Sequence, residues 1–91
     1  MERIEAAAIL FYRSEEDEYP FIYTARRHAD IYQDLHYANI DYNRLYKVEG
    51  FMTDTFRFVD RFEAKEIAVK AAQLIVPIEE TYAALYSEDV W

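Results

Sequence analysis

The chain has 91 residues, with 18 Asp and Glu against 10 Lys and Arg, giving a net charge of −8. This length makes a single domain, residues 1–91. The charge disfavours broad nucleic-acid binding, and the absence of cysteine excludes a disulfide scaffold or a thiolate metal site. No apolar run reaches bilayer length. Met1-Glu2-Arg3-Ile4-Glu5 lacks the basic and apolar regions of a signal peptide, so a cytoplasmic location is expected. Nine tyrosines suit half-buried positions, where the ring packs and the hydroxyl stays wet. A thin core and an abundance of Tyr together point to a homo-oligomer.

Ile4 to Tyr12 is almost continuously apolar and reads as a strand buried on both faces, hence central. Ser14-Glu15-Glu16-Asp17-Glu18 follows as a solvated acidic turn. Pro20 opens the next strand, Phe21 to Thr24. Thr24 is placed to cap a helix from about Ala25 to Tyr37, with Ile31, Leu35 and His28 on its buried stripe. Tyr46 to Thr53 reads as a third strand with a bulge or bend at Gly50. Phe56 to Val59 reads as a fourth, with Arg57 on the face opposite the phenylalanines. Asp60-Arg61-Phe62-Glu63 resembles a capping box. It opens a helix buried through Ala64, Ile67, Ala68 and Ala71, with Glu66 and Lys70 as an exposed pair. Pro77 lies beyond its end. The tail, 78–91, carries Tyr82, Leu85, Tyr86 and Trp91 and is expected to dock on its own domain or a neighbour's. The order ββα-ββα predicts an α+β fold, a small antiparallel sheet with two helices on one face.

The most informative feature is where arginine sits. A helix N-terminus carries partial positive charge and unpaired N–H groups, yet Arg26 and Arg27 fall at one predicted helix start and Arg61 at the other. An anion would complete such a site, with Arg57, Tyr23 and His28 lining the same region. Internal pairing to Asp30 and other acids is the competing reading. His28, on an apolar stripe, equally suits a buried histidine bonded to backbone. His28 and His36 lack a third convergent ligand, so no metal is expected. No cofactor is expected either. Ser14 and Ser87 lie in acidic loops, and Gly50 is the only glycine, so neither nucleophilic catalysis nor a phosphate-cradling loop is expected. Tyr32, Tyr37, Tyr42 and Tyr46 could stack a base, or simply pack.

Four blocks carry a family resemblance: Arg26-Arg27-His28-Ala29-Asp30-Ile31, Gly50-Phe51-Met52-Thr53, Arg57 to Ala64, and Ser87-Glu88-Asp89-Val90-Trp91. They resemble the R-R-H-x-D-I, G-F-x-T, R-F-x-x-R-x-E-A and S-E-D-x-W pattern of a family of small phage and prophage proteins. Similar proteins often carry Gly where this chain has Phe56 and Ala72. The resemblance implies a phage product acting in a bacterial cytoplasm and brings no site residues with it. Joined to the arginine argument, it gives a first expectation: a non-catalytic counter-defence protein that sequesters a phosphorylated nucleotide-type signal. The alternative is an acidic protein–protein inhibitor, mimicking nucleic acid, supported by the net charge and the Glu15–Glu18 loop.

Overall fold

A computed structural model describes residues 1–91. Four strands, β1 (Ile4–Tyr12), β2 (Phe21–Ala25), β3 (Tyr46–Thr53) and β4 (Phe58–Asp60), form one antiparallel sheet in the order β2-β1-β3-β4. Two helices, α1 (His28–Tyr37) and α2 (Arg61–Lys70), complete the ββα-ββα order. β1 is central, as its apolar run requires. Its register sets Ala7 opposite Ala25, Ile9 opposite Tyr23 and Phe11 opposite Phe21. Ile9, Phe11, Phe51 of β3 and Val59 of β4 form the sheet side of the core, met by Ile31 and Leu35 of α1 and by Ala64, Ile67 and Ala68 of α2. Fully burying one large apolar side chain contributes about 1.5–3 kcal/mol. This single layer is therefore the main source of stability.

The C-terminal tail lies on the same core. Leu85 and Val90 belong to the buried cluster, and Trp91 packs against it. The tail has no long helix, only short 3-10 turns at Ile78–Glu80 and Ser87–Asp89. The Asp89 carboxylate accepts from the Tyr86 amide at 3.0 Å and closes the second turn.

Several boundaries differ from the sequence expectation. Thr24 does not cap a helix: it pairs with Ala8 in the β1–β2 ladder, and β2 runs on through Ala25. A ladder position satisfies the backbone where a cap would have served a helix that starts later. α1 begins at His28, with Arg27 at the N-cap and no side-chain cap bond. Arg26 and Arg27 therefore precede the helix and do not occupy its first turn. β4 starts at Phe58, and Phe56 and Arg57 lie in the turn before it. Gly50 is not a bulge. It sits in regular register opposite Ala8, and the irregularity lies at Glu5, between Ile4 and Ala6. Glycine is required at position 50 for space, since a Cβ there would come within 2.2 Å of the Val59 carbonyl oxygen and 2.7 Å of the Phe58 ring. β1 has both helices on one face only.

Asp60 caps α2 as expected, accepting from the amides of Phe62 at 3.0 Å and Glu63 at 2.8 Å. The reciprocal half of a capping box is absent because the Glu63 carboxylate turns to Arg57, at 2.6 Å. Asp60→Ala is expected to destabilise the fold by about 0.5–2 kcal/mol in urea unfolding; no change would mean the cap is dispensable.

Both helices end in the same way. After α1, Asn39 donates to the His36 carbonyl and Ile40 to the Leu35 carbonyl; after α2, Ala72 donates to Val69 and Gln73 to Ala68. These are Schellman ends, which place the first residue beyond the cap in the left-handed region. Asn39 has φ 60° and Ala72 φ 55°, while Phe56, in the β3–β4 turn, has φ 62°. Asn tolerates this region, whereas Ala and Phe pay a steric penalty there. Ala72→Gly and Phe56→Gly are each expected to raise unfolding stability by about 0.5–1 kcal/mol. Loss of stability in either variant would contradict the strain argument.

Candidate functional site

The residues singled out in the sequence do not converge on one open space. Tyr23 is half-buried in the core, edge-on to Phe11 at 6.2 Å and to Phe21 at 5.7 Å. Arg57 lies beside the N-terminus, paired with Glu2 at 2.7 Å and Glu63 at 2.6 Å. Its hydrogen bonds, with that of Thr55, hold the Glu2 carboxyl down to about 2. The adjoining cleft, of about 310 Å³, is lined by Glu2, Glu63 and Glu66 as well as Met1, Arg57 and Lys70, so its cations already face carboxylates. Arg26 is exposed and makes no hydrogen bond or ion pair.

The other three meet around the tail. His28 sits at the first position of α1, 7% exposed. Its Nε2 lies 2.8 Å from the Gly50 carbonyl oxygen and its Nδ1 2.6 Å from the Ser87 hydroxyl. A carbonyl only accepts, so Nε2 carries the proton and Nδ1 accepts from Ser87. Ser87 Oγ in turn accepts from the His28 amide at 3.2 Å. Each polar atom of this pair is satisfied inside the protein. The imidazole also stands edge-on to the Phe51 ring at 5.0 Å, and Phe51 reaches Trp91 at 6.3 Å.

Two guanidinium groups close the same segment. Arg27 donates to the main-chain oxygen of Trp91 at 2.7 Å. Arg61 donates to the Leu85 carbonyl at 2.7 Å and to Glu49 at 3.0 Å, and lies over the Tyr86 ring at 4.9 Å. The Leu85 amide returns a bond to the Arg61 carbonyl at 2.9 Å. Further along, the Lys65 ammonium, buried on α2, donates to the Thr81 hydroxyl and the Tyr82 carbonyl. Gln73 ties the start of the tail to β1: its carbonyl accepts from the Ile4 amide at 2.7 Å, and its NH₂ donates to the Ile4 carbonyl at 2.8 Å.

Sequence reasoning missed Ser87, Glu49, Lys65 and Gln73. Ser87 had a signal, since it opens the Ser-Glu-Asp-Val-Trp block, but a serine in an acidic stretch reads as a loop. Tyr32 and Tyr42 do associate, at 5.1 Å, with Lys47 4.6 Å from the Tyr32 ring centre. Tyr46 instead stacks on Tyr12, and Tyr37 is exposed, so the four tyrosines form no common platform. No group of three or more His, Asp or Glu is placed to hold a metal. No helix is long and apolar enough to cross a membrane.

The arrangement defines a small α+β domain in which one buried histidine joins α1, β3 and the chain's last segment. The family model described as "Phage T4 y16D protein" matches residues 3–91, and the chain belongs to that phage protein family. No curated protein and no solved structure matches the chain.

Two outcomes follow from the clamp. Burial pushes the His28 pKa down; the Gly50 carbonyl opposes this, and the nearby Arg61 charge adds to it. The folded value therefore lies below the ordinary 6.5, and the unfolded chain takes up a proton that the folded chain refuses. This contribution is full above the unfolded pKa and is lost as pH falls through the folded one. Urea stability is expected to drop on acidification below about pH 6.5, and His28→Gln, less stable at neutral pH, should flatten that part of the profile. An equally steep profile in the variant would place the proton elsewhere. Separately, Arg61→Gln should lower stability by about 1.5–3 kcal/mol through its charged hydrogen bonds. Arg26→Gln should leave it unchanged. Equal effects at the two positions would contradict this division of roles.

Proposed function

We propose that this phage protein is non-catalytic and acts in the host cytoplasm by binding a protein partner through its acidic surface, as an inhibitor of a host defence protein that takes acidic groups in place of nucleic acid. The observation that carries this reading is where the cations point. Arg27 and Arg61 are engaged by the chain's own main-chain oxygens and Glu49, and Arg57 by Glu2 and Glu63. The surplus acids remain outside: Glu15, Glu16 and Glu18 are exposed in the β1–β2 loop, while Asp17 is held by Arg13 at 3.1 Å. A surface of this kind attracts cationic partners and speeds their encounter.

The other reading, sequestration of a phosphorylated nucleotide-type signal, requires several free cations facing one space. Only Arg26 of that set is unengaged, and a single exposed guanidinium on a chain of net charge −8 is a weak anion site. The buried Ser87–His28 pair also supports a non-catalytic role. Ser87 is 3% exposed, and its hydroxyl already accepts and donates within the core.

The test has two arms. A thermal-shift screen of mono-, di- and cyclic nucleotides is expected to show no stabilisation of the wild-type protein. Immobilised protein is expected to retain nucleic-acid-binding host proteins, to lose them in high salt or excess duplex DNA, and to retain far less after Glu15→Gln, Glu16→Gln and Glu18→Gln combined. A nucleotide that stabilises the wild type but not Arg27→Gln would instead establish the sequestration reading.

A further inference from the structure

One face of the sheet has no layer on it. The register that turns Ile9, Phe11, Phe51 and Val59 towards the helices turns the alternate residues the other way. Leu10, Tyr12, Ile22, Val48, Met52 and Phe58 lie on this second face, and none of them is among the residues packed in or against the core beneath the helices and the tail. The Phe58 ring lies over Gly50, and Tyr46 stacks on Tyr12 at 6.4 Å. Thr24 is the one polar residue in its interior. Asp60, at an outward register position, is turned into the α2 cap.

An antiparallel strand with one covered face ordinarily alternates apolar and polar residues; a run that is apolar on both faces belongs to a sheet covered on both. Ile4–Tyr12 is a run of the second kind inside a chain that covers only one face. Monomeric proteins rarely expose contiguous apolar patches above a few hundred Å². At the strand and residue spacings of a sheet, the outward positions span about 350 Å² of plane. With side-chain relief that is on the order of 500 Å² of accessible surface, or about 1,000 Å² for two copies, the lower bound for a specific interface.

We propose that this face pairs with the same face of a second copy of the chain, forming a two-fold sheet-on-sheet dimer. Charge selects this occupant. Apart from Asp60, engaged in the α2 cap, the outward register positions carry no charge on a molecule of net charge −8, so a charged partner finds no complement there. A second copy presents an equally uncharged plane, and a two-fold axis sets apolar surface against apolar surface. The acidic rims of the two copies repel, so added salt should strengthen this association. That sign is opposite to the one expected for binding a cationic partner through the acidic surface, and the two readings stand or fall separately.

The experiment is sedimentation equilibrium from micromolar to near-millimolar protein, at low and high salt, on the wild type and on Ile22→Lys combined with Tyr46→Lys. These residues are 42% and 54% exposed, so the variant should fold, as its circular dichroism would verify. A second variant, Thr24→Lys, adds the charge at a polar position on the same face. The wild type is expected to dimerise, more tightly in high salt, and both variants to dissociate at least about tenfold more readily. A wild type monomeric at the highest concentration, or a dimer indifferent to both variants, would overturn the proposal. So would a monomer that takes up a foreign protein through Ile22 and Tyr46.

Discussion

The imidazole of His28 joins three segments that lie far apart in sequence. It donates to the backbone of β3 at Gly50, accepts from Ser87 in the tail, and is itself the first residue of α1. A neutral imidazole does this without burying charge, where an ammonium or a carboxylate in the same place would face a desolvation cost of several kcal/mol. Removing the ring would take from the Gly50 carbonyl its imidazole donor and leave the Ser87 hydroxyl proton without an acceptor in the core, with a penalty of about 1–3 kcal/mol for each group left unsatisfied. The rest of the tail follows from this point. With Ser87 fixed, Arg61 reaches Leu85, Arg27 reaches Trp91, Trp91 reaches Phe51, and Leu85 and Val90 join the buried cluster. The core is thin enough that these residues matter: without them one end of the sheet would face water.

The same constraint explains the distribution of charge. A tail that contributes main-chain oxygens needs donors, and the donors here are Arg27, Arg61 and Lys65. Buried or half-buried carbonyls are satisfied well by cations, because hydrogen bonds to charged groups are stronger than neutral ones. Using cations inward leaves the acids outward, and the net negative surface is in part a consequence of how the chain closes on itself. The arginine placement that suggested an anion site thus has a local cause, in backbone acceptors brought from as far as 64 residues away in sequence.

Much of the fold was legible because its signals are local. Asp60 three residues before Glu63, the unbroken apolar run ending in Ile9-Leu10-Phe11-Tyr12, and the stripe Ala64, Ile67, Ala68 each name their own element. The start of α1 was not legible, because Thr24 serves equally as a cap or as a ladder partner, and only the presence of Ala8 opposite decides between them. Gly50 misled for a similar reason, since its need for space is set by Phe58 and Val59 on the neighbouring strand. The candidate site was half legible. Arg27, His28 and Arg61 do share one locality, but their partners there are main-chain and hydroxyl oxygens and the Glu49 carboxylate, brought together from distant parts of the chain, which sequence spacing does not reveal. The resemblance leads one to expect Gly at Phe56 and Ala72, and both lie in the left-handed region, where glycine carries no steric cost.

The central claim is that the tail is an integral part of the core, locked through His28. Native-state amide exchange tests this most directly, because it reports the opening free energy of each segment separately. The amides of Leu85 and Trp91, which donate to the Arg61 and Ser87 carbonyls, should exchange as slowly as those of α2 in the wild type, and much faster in His28→Gln while β1 stays protected. Tail amides that exchange freely in the wild type, beside a protected sheet, would show that the tail is dispensable and would contradict the account.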